Sequence, residues 1–323
     1  MSRIHDALTK AEHKTQSQGT AIPTPVGGPA SPDHDQRDAR PGMPSGEFPA
    51  RLGTDLRPDA VRRLSPVDMS GFPVRTWRPD PKRLIFADAS GEVFAVEQMR
   101  RLRSQMYQLD AKSPIQTVLI SSALGGEGKT FISANFALAL AKNKKVLLLD
   151  GDLRKPGVHE LFGAPSRPGL TELLAGEAEL TEVIQSGTVE NLWLLPAGKP
   201  ASNAAELLGD GRMAGVLELL TPIFDWMVID SSPVLPVSDA TVISRSCDAV
   251  LLVARAGVTP CASMQRAQRE FGEARVLGLV LNAATVPRHG AYYYAGYGYG
   301  QGQGKGSKKR KSDGKGASLG LAQ

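Results

Sequence analysis

Short apolar runs alternate with helical patterns through the middle of the chain. The apolar runs contain little polar alternation, which is typical of strands that are covered on both faces. Between them, the spacing of apolar positions predicts helices over 94–109, 129–141 and 204–220. This alternation predicts an α/β fold with a doubly wound, mostly parallel sheet. The predicted strands are 115–121, 145–150, 191–196, 226–230, 249–253 and 276–282.

The flanking regions have a different composition. Residues 21–81 hold 12 of the 23 prolines, which predicts a segment that cannot bury enough apolar surface to fold. We therefore divide the chain into a short helix at 1–15, a disordered linker at 16–85, a folded domain at 86–288 and a Tyr/Gly/Lys-rich tail at 289–323. The short helix has apolar residues on one face, which is compatible either with a fraying terminus or with a docking helix.

Composition excludes several classes of protein. The two cysteines, Cys247 and Cys261, exclude a disulfide scaffold, and their spacing does not suit a zinc site. There is no signal-peptide pattern and no run of 18 apolar residues, so we expect a cytoplasmic protein. The net charge is +5, and the tail beyond Gln301 alone accounts for it. We therefore expect no specific nucleic-acid face on the folded domain.

A glycine-rich turn between an apolar strand and an Ala-rich helix predicts a phosphate-binding loop. Its glycines let successive backbone N–H groups face phosphate oxygens, the lysine reaches the β/γ-phosphates and the threonine hydroxyl is a Mg²⁺ ligand. The strict motif has glycine where this chain has Ala123. The predicted ligands of ATP are Gly125, Gly126, Glu127, Gly128, Lys129, Thr130 and Phe131.

Two further strands end in acidic residues. The run at 145–150 leads into Asp150 and Asp152, and the run at 226–230 ends at Asp230. Because ligands bind at the carboxyl ends of parallel strands, these carboxylates are predicted to lie near the loop and to hold Mg²⁺. Asn282 ends the last strand, where it suits either an adenine contact or an ordinary turn.

In combination, these segments resemble the bacterial tyrosine kinases of capsular and exopolysaccharide biosynthesis, over roughly residues 92–299. Partitioning and division-site ATPases of the same superfamily carry a lysine where this chain has Leu124, which favours the kinases. Ser232 departs from the family, which usually has proline there. The matching segments are SSALGGEGKT, VLLLDGDLRKP, PAGKPASNAAELL, FDWMVIDSSPVLPVSDA, DAVLLVARAGVT, VLGLVLN and a C-terminal tyrosine cluster.

The resemblance implies an ATP- and Mg²⁺-dependent protein-tyrosine autokinase of the MinD/ParA-like P-loop superfamily. Lys129 would bind phosphate, Thr130, Asp152 and Asp230 would hold Mg²⁺, and Asp150 would accept the phenol proton. The division of roles between Asp150 and Asp152 stays open. The phosphoacceptors implied by the family are Tyr292, Tyr293, Tyr294, Tyr297 and Tyr299.

The resemblance also implies partners. Glu97, Arg100 and Arg103 match an E-x-x-R-x-x-R helix that forms a ring interface in the family, whereas spacing alone favours a solvated ladder of ion pairs. A separate transmembrane activator of polysaccharide assembly, a tyrosine phosphatase and a peripheral location at the inner membrane face are implied too. Three alternatives remain: a partitioning-type ATPase switch, a non-catalytic nucleotide-binding adaptor, and nucleic-acid binding by the tail.

Overall fold

The computed structural model describes residues 71–86 and 93–284. The chain divides into two units, Met1–Leu52 and Gly53–Gln323, and the first lies outside the described residues. The described elements run in the order α1 Val93–Asp110, β1 Thr117–Ser122, α2 Lys129–Leu140, β2 Val146–Asp150, α3 Val158–Phe162, α4 Leu170–Ala175, α5 Leu180–Val183, β3 Gln185–Ser186, β4 Leu192–Leu195, α6 Ala204–Leu208, α7 Arg212–Leu220, β5 Trp226–Asp230, α8 Asp239–Ser244, β6 Ala249–Arg255, α9 Cys261–Glu270 and β7 Val276–Asn282.

The described strands form one seven-stranded sheet in the order β3-β4-β2-β5-β1-β6-β7. The pairs are parallel, apart from the short antiparallel pair of β3 with β4. β5 lies between β2 and β1, and Asp150 is in register with Asp230 across the β2–β5 pair. The loop after β1 and the acidic ends of β2 and β5 therefore meet at one edge of the sheet.

The core lies on both faces of the sheet. The five residues of β2 are all buried, and so are the five of β5. Successive β2 residues, Leu147 and Leu148, pack into different apolar clusters on the two faces. Burial on both faces explains why these strands are apolar throughout rather than alternating. The predicted α/β fold with a doubly wound, mostly parallel sheet is confirmed.

The predicted linker is wrong over residues 71–85. Phe72, Trp77 and Leu84 are only 4%, 3% and 1% exposed. The Trp77 indole N–H donates to Gln185 at 3.2 Å, and the Ile85 amide donates to Asn135 at 2.7 Å. Burial of a few large apolar side chains, without helical or strand periodicity, is enough to hold a proline-rich segment against the domain. The predicted segments 1–15 and 289–323, and 16–70 of the linker, lie outside the described residues.

The described elements differ from the predicted ones in several places, and α3, α4 and α5 were not predicted. The helix predicted at 204–220 is divided into α6 and α7, because Asp210 and Gly211 adopt positive φ values of 52° and 75°. The sequence analysis also missed β3, a two-residue strand with no apolar pattern of its own. Within the described part of the chain, no helix is both long enough and apolar enough to cross a membrane.

Candidate active site

The phosphate-binding loop spans residues 123–130, between β1 and α2. Its backbone turns through positive φ at Gly126 and Gly128, with values of 78° and 91°. Within the described residues, the amide N–H groups of 125–130 donate to no protein acceptor, whereas the Leu124 N–H donates to Glu127 at 3.1 Å. Because unpaired N–H groups at a helix N-terminus attract anions, this loop has the form of a phosphate cradle.

Lys129 and Thr130 open helix α2 at the foot of this loop. Lys129 is buried, with 8% exposure, while Thr130 and Phe131 are half-buried. A buried lysine needs a negative partner, and the Lys129 ammonium interacts electrostatically with the carboxylates of Asp152 and Asp230. The predicted combination of loop, lysine and acidic strand ends is therefore brought together in space.

The segment 151–158, which we call the acidic turn, is folded around the carboxylate of Asp150. Asp150 is fully buried. Its Oδ2 accepts the N–H groups of Gly157 and Val158, both at 3.0 Å, and its Oδ1 accepts the Asp152 N–H at 3.2 Å. The turn is also bonded to β5, because the Gly151 N–H donates to the Asp230 carbonyl at 2.8 Å. Asp150 thus organises the backbone that presents Asp152.

Asp152 and Asp230 are less completely satisfied. Asp152 is 9% exposed, and its Oδ1 accepts the Lys155 N–H at 3.0 Å. Asp230 is 1% exposed, and its Oδ1 accepts the Ser133 hydroxyl at 2.9 Å. The Oδ2 of Asp230 is buried and has no hydrogen-bond partner among the described residues. A buried carboxylate oxygen without a partner is costly, which makes this atom a candidate ligand for a cation or its water shell.

Burial dominates the electrostatics of the three carboxylates. It raises the pKa of Asp150, and the neighbouring Asp230 raises it further, against the lowering effect of the Val158 and Gly157 amides. Burial also raises the pKa of Asp152 and of Asp230, partly offset for Asp230 by the Thr130 hydroxyl and the Lys129 ammonium. Three acids whose ionised forms are disfavoured in this way form a site that gains from added positive charge.

The residues at this site suit a Mg²⁺ ion that is bound by only a few protein ligands. No cluster of three or more His, Cys, Asp or Glu side chains in the described ranges 71–86 and 93–284 is arranged to hold a metal by itself. Mg²⁺ is typically held by one or two carboxylates together with phosphate oxygens and water. The set of Thr130, Asp152 and Asp230 stays a prediction. The unpartnered Oδ2 of Asp230 is the observation that supports the fit.

The Arg154 side chain is bonded to neighbouring parts of the domain. Its Nε donates to Asp239 at 2.7 Å and its Nη1 donates to the Ser202 carbonyl at 2.9 Å. Asp239 is fully buried, so the guanidinium compensates a charge at the start of α8. These contacts connect the acidic turn to the start of α8 and to the Ser202 carbonyl.

The sequence analysis missed two residues that act on the site. Ser133 lies one helical turn after Lys129, so its i+4 spacing on α2 was an available signal. Thr259, in the turn between β6 and α9, donates its hydroxyl to Glu127. Asn282 donates from Nδ2 to the Glu127 carbonyl at 2.9 Å. Its predicted adenine contact stays a prediction, and what the structure adds is this direct contact with the loop.

The predicted oligomer-interface residues on α1 differ in their contacts within the domain. Glu97 and Arg100 have 45% and 58% of their side chains exposed and form an i,i+3 pair at 3.7 Å. Arg103 instead donates to the Ala139 carbonyl near the end of α2, at 2.8 Å. Glu97 and Arg100 remain available for an interface, while Arg103 is engaged within the domain. The five predicted phosphoacceptor tyrosines lie outside the described residues.

Comparison with known proteins decides the family. The AAA_31 family model, described as an AAA domain, matches residues 115–263. The chain is 32% identical over 203 residues to the tyrosine-protein kinase YwqD of Bacillus subtilis, a match that covers 62% of this chain and 86% of the relative. The chain belongs to the bacterial tyrosine-protein kinase family. Against the tyrosine-protein kinase etk of Escherichia coli K12, at 34% identity, the match covers only 28% of the longer relative.

Solved structures agree with this membership. The chimerical protein CapA2B2 superposes with a TM-score of 0.60 at 30% identity, covering 67% of this chain and 96% of the other. The described domain thus shares the fold of this solved relative, and its P-loop lies within the matched AAA domain. The predicted resemblance to the bacterial tyrosine kinases is confirmed.

Proposed function

We propose that this family member is an ATP-dependent protein-tyrosine autokinase that phosphorylates its own C-terminal tyrosine cluster. The observation that carries the proposal is the open row of amide N–H groups at 125–130, which lies at the same sheet edge as three buried carboxylates. Free amides bind phosphate, and buried carboxylates hold the metal and accept a proton. Phosphoryl transfer needs both parts, together with accurate positioning.

The loop binds the nucleotide in this proposal. The N–H groups of 125–130 surround the phosphates, and the positive end of α2 adds to their attraction. The ammonium of Lys129, already buried beside Asp152 and Asp230, neutralises charge on the β- and γ-phosphates. Nothing lies within 4 Å of a Cβ placed on Gly125 or Gly126, so this side of the loop has room for a ligand.

Thr130, Asp152 and Asp230 are the proposed Mg²⁺ ligands, directly or through water. When bound, the ion neutralises phosphate charge and aligns the γ-phosphoryl group for in-line transfer. Ser133 orients Asp230 by donating to Oδ1, which leaves Oδ2 for this role. Asp152 lies in the acidic turn, two residues beyond the end of β2, where the Lys129 ammonium interacts with its carboxylate.

Asp150 is the proposed acceptor of the phenol proton. The amides of Gly157 and Val158 occupy its Oδ2, whereas Oδ1 has one longer contact and is the oxygen left to accept the proton. Because Asp150 is fully buried, the acidic turn must open for a phenol to approach it. Asp152, with 9% exposure, is the second candidate for this role.

The proposed substrates are the tail tyrosines Tyr292, Tyr293, Tyr294, Tyr297 and Tyr299 of an adjacent subunit in a ring-type oligomer. Phosphorylation of several tyrosines would add roughly −1.5 to −2 charges each, and mutual repulsion would then loosen the ring. We further propose control of capsule or exopolysaccharide synthesis and export, through a separate transmembrane activator at the inner membrane face and a phosphatase.

Mass spectrometry of the tail tests the kinase proposal. The native chain, Lys129→Met and a variant with all five tail tyrosines changed to phenylalanine are each co-expressed with the genomic neighbours. Phosphotyrosine at 292–299 in the native chain alone is the expected result. An unmodified native tail in a protein that still hydrolyses ATP would instead support the ATPase-switch alternative.

A mixing experiment tests transfer between subunits. Lys129→Met, which keeps the tyrosines, is combined with the active five-phenylalanine variant carrying a distinguishable tag. Phosphotyrosine on the Lys129→Met chain is expected, because only a neighbouring active site can supply it. If the native chain is modified while this mixture is not, transfer occurs within one chain.

A further inference from the structure

We propose that Thr259 is a positioning residue, which fixes the shape of the phosphate-binding loop through the side chain of Glu127. The inference rests on the proposed nucleotide binding, and it concerns how the loop is held ready for phosphate. Thr259 lies in the turn between β6 and α9, at the last position of the segment DAVLLVARAGVT, and was given no role from the sequence.

The Glu127 side chain points into the folded domain. Its residue is only 3% exposed, between neighbours that are exposed or half-buried. One carboxylate oxygen accepts the Leu124 N–H at 3.1 Å, which closes the loop on itself, and the other accepts the Thr259 hydroxyl. Glu127 was predicted as a nucleotide ligand. In the structure its carboxylate is instead bonded to the Leu124 N–H and the Thr259 hydroxyl.

The Thr259 hydroxyl is fully engaged. It donates to Glu127 and accepts the Arg255 N–H at 2.8 Å, where strand β6 ends. A carboxylate bonded in this way is oriented by a chain of hydrogen bonds that starts in the sheet. The loop is therefore attached to β6 through a single hydroxyl group.

Asn282 holds the loop from a second side. Its Nδ2 donates to the Glu127 carbonyl, and its Oδ1 accepts the Ala283 N–H at 2.8 Å, so the amide is fixed in orientation. A Cβ on Gly128 would lie 2.0 Å from that Nδ2, so the loop and β7 are in close approach. The side chain and the carbonyl of Glu127 are thus both held, by β6 and by β7.

Positioning by these contacts has a consequence for binding. With Leu124 N–H bonded to Glu127, the amides of 125–130 are left free and face no protein acceptor in the described part of the chain. A loop that is already ordered loses less conformational freedom when phosphate binds. Loss of the Thr259 hydroxyl leaves a buried carboxylate oxygen short of a donor, so Glu127 must shift and the loop with it.

The test measures nucleotide affinity directly, by calorimetric titration of the full chain with MgADP and with MgATP. Thr259→Val keeps the shape and removes the hydroxyl, and we expect about tenfold weaker binding, equivalent to about 1.4 kcal/mol. Thr259→Ser restores the hydroxyl and should bind within about twofold of the native chain. Thr221→Val, which deletes a hydroxyl bonded to the Leu217 carbonyl far from the loop, should leave affinity unchanged.

A double-variant cycle shows whether Thr259 acts through Glu127. In a Glu127→Ala background, Thr259→Val should weaken binding no further, because its target is already absent. Three results would each overturn the proposal: native affinity in Thr259→Val, equal loss in Thr259→Ser, or a full additional loss in the Glu127→Ala background. Failure of the native chain to bind nucleotide would overturn the proposed function itself, so the two failures are distinguishable.

Discussion

The phosphate-binding loop and the acidic turn lie at the same sheet edge but use their backbone N–H groups in opposite ways. In the loop, the amides of 125–130 have no protein acceptor within the described chain. In the acidic turn, the amides of Asp152, Gly157 and Val158 are bonded to the side chain of Asp150. One segment leaves its donors for a ligand, and the other uses them on itself.

This difference separates binding from catalysis. A segment with free amides gains interactions when phosphate arrives, so its role is to bind. A segment that satisfies its own amides has no such donors left for a ligand, so its role is to hold Asp152 in place. The predictions below alter one segment or the other, and the substitutions come in order of decreasing loss of stability.

Gly128→Ala should damage the loop most. The new Cβ would lie 2.0 Å from the Asn282 amide, at a φ of 91° that side chains rarely adopt. We expect a loss of about 2 to 3 kcal/mol in the free energy of unfolding and more than tenfold weaker nucleotide binding. Urea unfolding and nucleotide titration measure the two effects.

Gly126→Ala is the matched control. Gly126 has a similar φ of 78°, but nothing lies within 4 Å of its Cβ position. Its cost should be confined to backbone strain, about 1 kcal/mol. Equal destabilisation by both substitutions would show that the contact with Asn282 does not matter.

Arg154→Ala should loosen the acidic turn while leaving the loop intact. It removes the cation that faces the fully buried carboxylate of Asp239. A third of the arginine side chain is exposed, so we expect about 2 kcal/mol of destabilisation, below the range for a fully buried pair. Thermal unfolding is the measurement, and exposed Arg100→Ala, with a cost below about 0.5 kcal/mol, is the control.

The pH dependence of stability tests the burial of Asp150. Burial raises its pKa, so between the unfolded value near 4 and the raised folded value the native state binds more protons than the unfolded state. This contribution to stability is complete below about pH 4 and is lost as the pH rises through the folded pKa. We expect the free energy of unfolding to fall from pH 5 to 8, with a slope of at most about 1.4 kcal/mol per pH unit for this group.

Asp150→Asn removes that titration and should flatten the slope in urea unfolding experiments. The neighbouring Asp230, whose pKa burial also raises, should leave a smaller slope in the same direction. Saturating MgATP should reduce the native slope as well, because added positive charge favours the ionised carboxylates. A native chain whose stability rises steadily with pH over this range, with the same slope in Asp150→Asn, would contradict the description of the acidic turn.

The central strands were predictable because burial on both faces leaves an apolar run that ends at a charged residue. Trp226–Asp230 and Val276–Asn282 match the predicted bounds, and the other predicted strands differ by one or two residues at an end. The loop was predictable for a related reason. The glycines at fixed spacing before Lys129 allow the backbone to adopt the positive φ values of a phosphate-binding turn. Each of these signals is local in sequence.

The contacts that hold the site were not predictable, because they join residues far apart in the chain. Thr259 and Glu127 are separated by 132 positions, and Asn282 and Glu127 by 155. The folded contacts of residues 71–85 were missed for the same reason, since the partner of Trp77, Gln185, is 108 positions away in the chain. The proline-rich composition of this segment indicates that it forms little regular secondary structure, but it does not predict which tertiary contacts the segment makes.

The most direct test of the division between binding and catalysis is a pair of measurements on Asp152→Asn. The account predicts that MgATP affinity stays within about tenfold of the native chain, because the loop is intact, while phosphotyrosine on the tail falls more than about 100-fold. Lys129→Met serves as the reference for lost binding. If Asp152→Asn lost affinity as fully as Lys129→Met, or kept native phosphotyrosine, the separation of roles between the loop and the acidic turn would be wrong.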